Sequence, residues 1–252
     1  MSIAFDLSGR TALVTGGSRG IGRECSTTLA AAGARVIVNY HKSKEKALDA
    51  VNEIREAGGK AEAFKADIAN HDEVQALFGH IREKFKRIDI LVNNAGIIKD
   101  MLLLSMELPD WDSVIDLNLK GAFLCTKFAA EMMMHQHSGK IINISSIGAI
   151  KCSRGQSNYA AAKGGLLSFT RACAVELSAK GIQVNAVLPG MIETDMSRRV
   201  RKLAGDAILK SIPAGRYGSP ADIANMVAFL ASDLSDYISG QAICVDGGMS
   251  VS

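Results

Sequence analysis

The chain has 252 residues, 48% of them apolar and 22% charged, with a formal net charge of +3. That balance suits one soluble α/β domain and gives no electrostatic footprint for nucleic acid. No run approaches the ~18 apolar residues of a membrane span, the N-terminal stretch has no leader pattern, and the scattered cysteines and histidines fit neither a disulfide framework nor a metal centre, so a cytoplasmic, metal-free protein is expected.

In chain order, Arg10 to Thr15 reads as a strand running into glycine-rich sequence, with a helix starting near Gly20 and a second strand from Arg35 to Asn39. This is the opening of a nucleotide-binding βαβ unit. Gly16, Gly20 and Gly22 allow close approach to a pyrophosphate, which the helix N-terminus attracts with unpaired N–H groups. An acid at the end of the second strand would bond a ribose 2′-hydroxyl and repel a 2′-phosphate. Asn39 stands there instead, with Arg19, His41, Lys42 and Ser43 near enough to offer donors, so NADP(H) is the expected cofactor.

Ser43 to Ala57 has helical periodicity and stops at Gly58-Gly59; Lys60 to Ala66 is the third strand, His71 to Phe85 a helix and Ile88 to Val92 the fourth strand. Asn93-Asn-Ala-Gly96 closes that strand, where Asn94 and the bare backbone of Gly96 are candidates to touch a cofactor. Trp111 to His137 reads as one long helix holding Asn118, a mediocre helix former. Lys140 to Ser145 is a buried strand, Tyr159 to Lys180 a helix interrupted by Gly164-Gly165, and Ile182 to Leu188 another strand ending at Pro189-Gly190. Met191 to Ser211, following a hinge-like Pro-Gly and rich in charge and methionine, has the features of a substrate lid at about 190–212; Pro220 to Ser232 is the last helix and Gln241 to Val245 the last strand. The alternation predicts a doubly wound, seven-stranded parallel sheet with helices on both faces.

Ser146 follows the fifth strand, and Tyr159 and Lys163 leave one helical face at i, i+4. A hydroxyl to orient a carbonyl, a phenol to exchange its proton and an ammonium to lower the phenol's pKa make a set suited to ketone reduction or alcohol oxidation. Taken alone, Tyr-x-x-x-Lys is an ordinary helical pair.

Together with Thr15-Gly-Gly-Ser-Arg-Gly-Ile-Gly22, Asn93-Asn-Ala-Gly96 and Asn118, these residues resemble the short-chain dehydrogenase/reductase family from about Leu7 to Met249. Gly155-Gln-Ser-Asn-Tyr159, Pro189-Gly-Met-Ile-Glu-Thr-Asp-Met196 and the stretch from Gly240 to Met249 resemble its bacterial 3-oxoacyl-[acyl-carrier-protein] reductases. The resemblance implies catalysis by Asn118, Ser146, Tyr159 and Lys163, with Asn118 marking a helix kink and supporting a proton-relay water. It implies a cofactor held by Gly16, Ser18, Arg19, Gly20, Ile21, Gly22, Asn39, Asp67, Ile68, Asn94, Ala95, Gly96, Tyr159, Lys163, Pro189, Gly190, Ile192 and Thr194. It also implies a homotetramer contacting through the Tyr159 helix, and an acidic acyl carrier protein docking beside the active-site entrance at Lys180; the lid cations Arg198, Arg199, Arg201 and Lys202 read either as a further contact for an anionic carrier or as a solvated helix face. At a second docking position, where arginine is frequent, this chain has His137. A reductase of free or CoA-linked ketones, an alcohol or steroid dehydrogenase, and a dinucleotide sensor without turnover are the rival readings.

Overall fold

The computed structural model describes residues 5–252; the first four, part of the stretch read above for a leader, lie outside the described residues. Seven strands, β1 (Thr11–Val14), β2 (Arg35–Tyr40), β3 (Lys60–Lys65), β4 (Ile90–Asn93), β5 (Gly139–Ile144), β6 (Ile182–Pro189) and β7 (Ala242–Val245), form one parallel sheet ordered β3-β2-β1-β4-β5-β6-β7. The order reverses at β1, so the C-terminal ends of β1 and β4 open a crevice at the topological switch point.

Alternate strand residues feed two cores. Val14, Val36, Val38, Ile142 and Ile144 face α1 (Gly20–Ala31), α2 (Lys44–Glu56) and α8 (Pro220–Ala231). Leu13, Ile37, Leu91 and Ile141 face α3 (His71–Phe85), α5 (Gly121–Gln136) and α6 (Ser157–Leu177). Each fully buried Leu, Ile or Val contributes about 1.5–3 kcal/mol of transfer free energy, which fixes the sheet between its helical layers. Local signals set the helix ends: Asn70 accepts from the amides of Asp72 and Glu73, and Ser219 with Asp222 forms a capping box ahead of α8. No helix among the described residues is long and apolar enough to cross a membrane.

The expected single helix from Trp111 to His137 is three pieces. α4 (Leu108–Ile115) passes into a π-helical turn, Asp116–Lys120, and then into α5. The wide turn is where Asn118 leaves the helical ladder, and Leu119 from the same turn packs on Gly165 of α6, where an added Cβ would lie 3.0 Å from it. The interrupting glycine therefore lets α6 approach the turn. β4 starts at Ile90 rather than Ile88, because the Asp89 side chain turns back to accept from the Thr11 amide at 2.8 Å. The region read as a lid contains α7 (Arg198–Lys210), which has no buried residue and is kinked at Ala204.

Candidate active site

Thr15, at the end of β1, locks the crevice together. Its hydroxyl accepts from the amides of Asn94 (2.9 Å) and Ala95 (3.0 Å), while the Asn94 side-chain amide donates to the carbonyls of Thr15 (2.9 Å) and Gly16 (3.2 Å). A Cβ on Gly22 would collide with that amide and with the Gly16 carbonyl, so this glycine is required by packing between the two motifs. Gly16 and Gly20 have φ of +62° and +53°, conformations that favour glycine. Arg19 caps α1 without a side-chain bond to the helix, leaving the first amides of α1, at Gly20, Ile21 and Gly22, directed into the crevice, and its own side chain is exposed. Ser18 is buried beneath the loop. This cradle fits the pyrophosphate of a dinucleotide.

The structure reassigns several expected contacts. Asn39 is 2% exposed, accepts from the Gly16 amide at 3.3 Å and donates to the Ala66 carbonyl at 3.0 Å, so it staples β2, β3 and the glycine loop and has no free edge for a phosphate. β2 runs on to buried Tyr40, and the next free side chain is His41, whose imidazole lies 3.7 Å from the Asp67 carboxylate. Ile68 is buried in the second core against Gly121, so only its backbone can meet a ligand. Asn94 is likewise committed to holding the loop. With Arg19, His41 and Lys42 left as exposed donors, Arg19→Ala should weaken binding of a 2′-phosphorylated dinucleotide at least tenfold and leave the unphosphorylated one nearly unchanged, measured by fluorescence titration of both; equal losses would remove Arg19 from the phosphate site.

Ser146 lies beyond β5 in extended backbone and accepts from the Gly148 amide at 3.0 Å. Its hydroxyl faces the Tyr159 phenol. Burial raises the phenol's pKa, the Ser146 hydroxyl pulls it back down, and the carboxylate of Asp100 raises it again; the balance lies above the ordinary value. The lysine does not reverse this. Lys163 is 3% exposed, its ammonium 5.9 Å from the Tyr159 ring centre and donating to the Ile144 carbonyl at 2.7 Å. Burial pushes its own pKa down to about 8. The expected lowering of the phenol by Lys163 is thus absent, and Tyr159 is protonated at neutral pH, as a proton donor must be.

Asn118 is 1% exposed and closes a ring with Ile97, donating to its carbonyl (2.9 Å) and accepting from its amide (2.8 Å). A Cβ on Gly96 would lie 3.0 Å from the Asn118 carbonyl oxygen and 3.6 Å from the Lys163 ammonium. The structure therefore brings Gly96, Asn118 and Lys163 together, with the Asn118 side chain spent on positioning the loop after Gly96.

On the far side, the Gly190 amide bonds to the Val245 carbonyl at 3.1 Å, and Asp246 sits where a Cβ on Gly190 would be, so Pro189-Gly190 is pressed against the last strand. Ile192 is buried and bridges to Gly218, while Ser197 donates to the Ile192 carbonyl at 2.5 Å and accepts from the Thr194 amide at 3.2 Å. Thr194 lies over the glycine loop, 3.4 Å from a Cβ placed on Gly20.

Sequence reasoning missed three supporting groups. Asn158 is fully buried, donates to the Lys99 carbonyl (3.0 Å) and accepts from the Tyr159 amide (2.7 Å), anchoring the head of α6. Ser145 donates to the Lys163 carbonyl at 2.9 Å, and Asp100 faces Tyr159 while accepting from Gln156. The first two adjoin residues already singled out; Asp100 comes from a loop with no local signal. Among the described residues no cluster of His, Cys, Asp and Glu could hold a metal.

The sequence model described as enoyl-(acyl carrier protein) reductase matches residues 16–250. A curated 3-oxoacyl-[acyl-carrier-protein] reductase of Synechocystis is 50% identical over 244 residues, covering 96% of this chain and 98% of the relative. The chain belongs to the short-chain dehydrogenase/reductase family. A Staphylococcus aureus 3-oxoacyl-[acyl-carrier-protein] reductase is 48% identical over 240 residues, covering 95% and 98% of the two chains. Among solved members of the family, a gluconate 5-dehydrogenase from Burkholderia cenocepacia in complex with NADP and tartrate superposes with a TM-score of 0.94 at 36% identity, over 99% of this chain and 98% of that one. A protein from Agrobacterium tumefaciens, proposed to be a gluconate dehydrogenase, reaches 0.96 at 41% identity over the whole of both chains.

Proposed function

We propose that this protein reduces the 3-oxo group of an acyl thioester carried on acyl carrier protein to the 3-hydroxy group, using NADPH, in fatty acid synthesis. The carrying observation is the near full-length, 50% identity to a curated 3-oxoacyl-[acyl-carrier-protein] reductase, on a chain whose Ser146, Tyr159 and Lys163 converge at the crevice.

The glycine cradle with Arg19 would hold NADPH, which would supply the hydride for the carbonyl carbon. Tyr159 gives its phenolic proton to the carbonyl oxygen, and the Ser146 hydroxyl holds that oxygen in line. Lys163, still largely protonated at pH 7 with a pKa of about 8, stabilises the phenolate left behind. The glycine cradle and the exposed Arg19 and His41 support the 2′-phosphorylated cofactor, as does the NADP held by the Burkholderia relative.

A sugar-acid dehydrogenase is the second reading, favoured by the solved gluconate 5-dehydrogenase. Assays crossing NADPH and NADH with acetoacetyl thioesters and with gluconate or its keto form decide between them. The proposal expects kcat/KM for the thioester with NADPH to exceed every other pairing by at least tenfold, and a larger value for gluconate oxidation overturns it.

Carrier docking needs revision. His137 and Lys180 are neighbours, a Cβ on Gly181 meeting the His137 carbonyl, but they precede β5 and β6, at the opposite end of the sheet from Ser146. Six strand residues separate them by about 20 Å. Of the lid cations, Arg198 pairs with Asp195 and Arg201 with Glu193. A carrier docked at Lys180 would therefore serve the site of a neighbouring subunit in a tetramer. Exposed apolar side chains on the outer faces of α5 and α6, Phe123, Met134 and Val175, support such a contact, and the free cysteines agree with a cytoplasmic enzyme. Lys180→Glu should raise KM for carrier-linked substrate severalfold and spare a short N-acetylcysteamine thioester, with the carrier-linked KM also rising with salt; equal responses of both substrates exclude docking at that face.

A further inference from the structure

A second basic depression lies far from the crevice, where β2 and β3 begin. It encloses about 450 Å³ and is lined by Arg35, Arg55, Lys60, Glu62, Lys84 and Phe85. Arg35 and Lys60 are the first residues of β2 and β3, whereas Asn39 lies near the other end of β2 and Asp67 just past the other end of β3, so most of the length of a six-residue strand, about 20 Å in all, separates the two regions.

Of the four cations here, Lys84 pairs with Glu62, whereas Arg35, Arg55 and Lys60 make no ion pair among the described residues. The Arg35 guanidinium stacks over the Phe85 ring at 5.1 Å from its centre. Arg55 donates its Nε–H to the Ala61 carbonyl at 2.9 Å, which fixes the plane of its guanidinium and leaves the terminal amino groups free. The lining carboxylate, Glu62, already pairs with the Lys84 ammonium and lies 2.5 Å from the His80 Nε2. Among the described residues, Arg35, Arg55 and Lys60 have no carboxylate within ion-pair distance. Two guanidinium groups and an ammonium, exposed around one depression and each without a carboxylate partner, give it an electrostatic surface complementary to an anion. The planar forks match phosphate oxygens in a way that ammonium groups do not.

We propose that this depression is a non-catalytic binding site for a small phosphate-bearing anion, with Arg35 and Arg55 as its clamps and Lys60 as a third charge. Because the site lies at the far end of the sheet, the ligand is neither the substrate nor the dinucleotide in the crevice.

The test is calorimetric titration of the full-length protein with pyrophosphate and with ADP at constant ionic strength, repeated on Arg35→Gln/Arg55→Gln and on Arg55→Gln alone. The expected result is saturable binding that weakens at least tenfold in the double variant and by a smaller factor in the single one, while ketone reduction is unchanged in both, showing that they are folded. Equal affinity for the two ligands would mean that phosphate alone is recognised; tighter ADP binding would name a nucleotide. Binding that persists undiminished in the double variant belongs to the glycine loop, and that result, or the lack of any saturable binding, overturns the proposal.

Discussion

Tyr159→Phe abolishes carbonyl reduction while leaving cofactor affinity within about twofold of the parent. The Tyr159 phenol faces the Ser146 hydroxyl, and its ring remains in place when the oxygen is removed. A positioned acid is worth ~10²–10⁴ in rate, so kcat should fall by at least that factor with little change in the dissociation constant of NADPH. Because burial and Asp100 hold Tyr159 above the ordinary phenol range, its protonation does not limit reduction near neutral pH. Single-turnover assays with saturating NADPH, paired with fluorescence titration of the cofactor, make the comparison. Turnover within tenfold of the parent would move the proton donor elsewhere.

Lys163→Met separates activity from stability. Turnover should drop by ~10²–10³, the usual cost of deleting a buried group that stabilises charge developing in the transition state. The ligand-free variant should nonetheless be no less stable at pH 7, since the native protein carries the cost of burying an ammonium. The sign follows from linkage: the amine has a pKa of about 8 when folded and the ordinary lysine value of 10.5 when unfolded, so between those values the unfolded chain binds the extra proton and stability rises with pH. Below pH 8 the native state carries the full penalty, on the order of 3 kcal/mol. Urea unfolding of both proteins from pH 7 to 10 should show the parent gaining stability relative to the variant. A parallel pair of curves would mean that Lys163 is not desolvated in the ligand-free protein.

The sheet was legible because β-branched runs and their punctuation are local properties. Every strand and most helices lie within a few residues of the expected positions, and Ser146, Tyr159, Lys163 and Gly96 meet as their motifs imply. What stayed hidden depends on side-chain direction. The chemistry of Asn39 and Asn94 suits a ligand, but their burial beside Gly16 commits each amide to the backbone, and no periodicity reveals that. Asn118 gave a hint as a weak helix former, whereas the π-helical turn follows from Ile97, which lies 21 positions away. The family resemblance implies Lys180 beside the active-site entrance, while the β5 and β6 directions put it at the other end of the sheet of its own subunit, which a likeness in sequence does not reveal.

The hydrogen bonds from Asn94 to Thr15 join positions 79 residues apart. The glycine loop, held on one side by Asn39 of β2, is therefore braced on the other only once β4 has docked beside β1. Closing so long a loop is entropically costly and slow, and a chain interrupted before Asn93 would contain the whole glycine motif and its Asn39 staple yet lack the Asn94 bonds that brace it. Cofactor added during refolding would then act late, selecting chains in which the two halves of the sheet have already met, and the amides of Thr15, Asn94 and Ala95 should gain protection from hydrogen exchange as one unit.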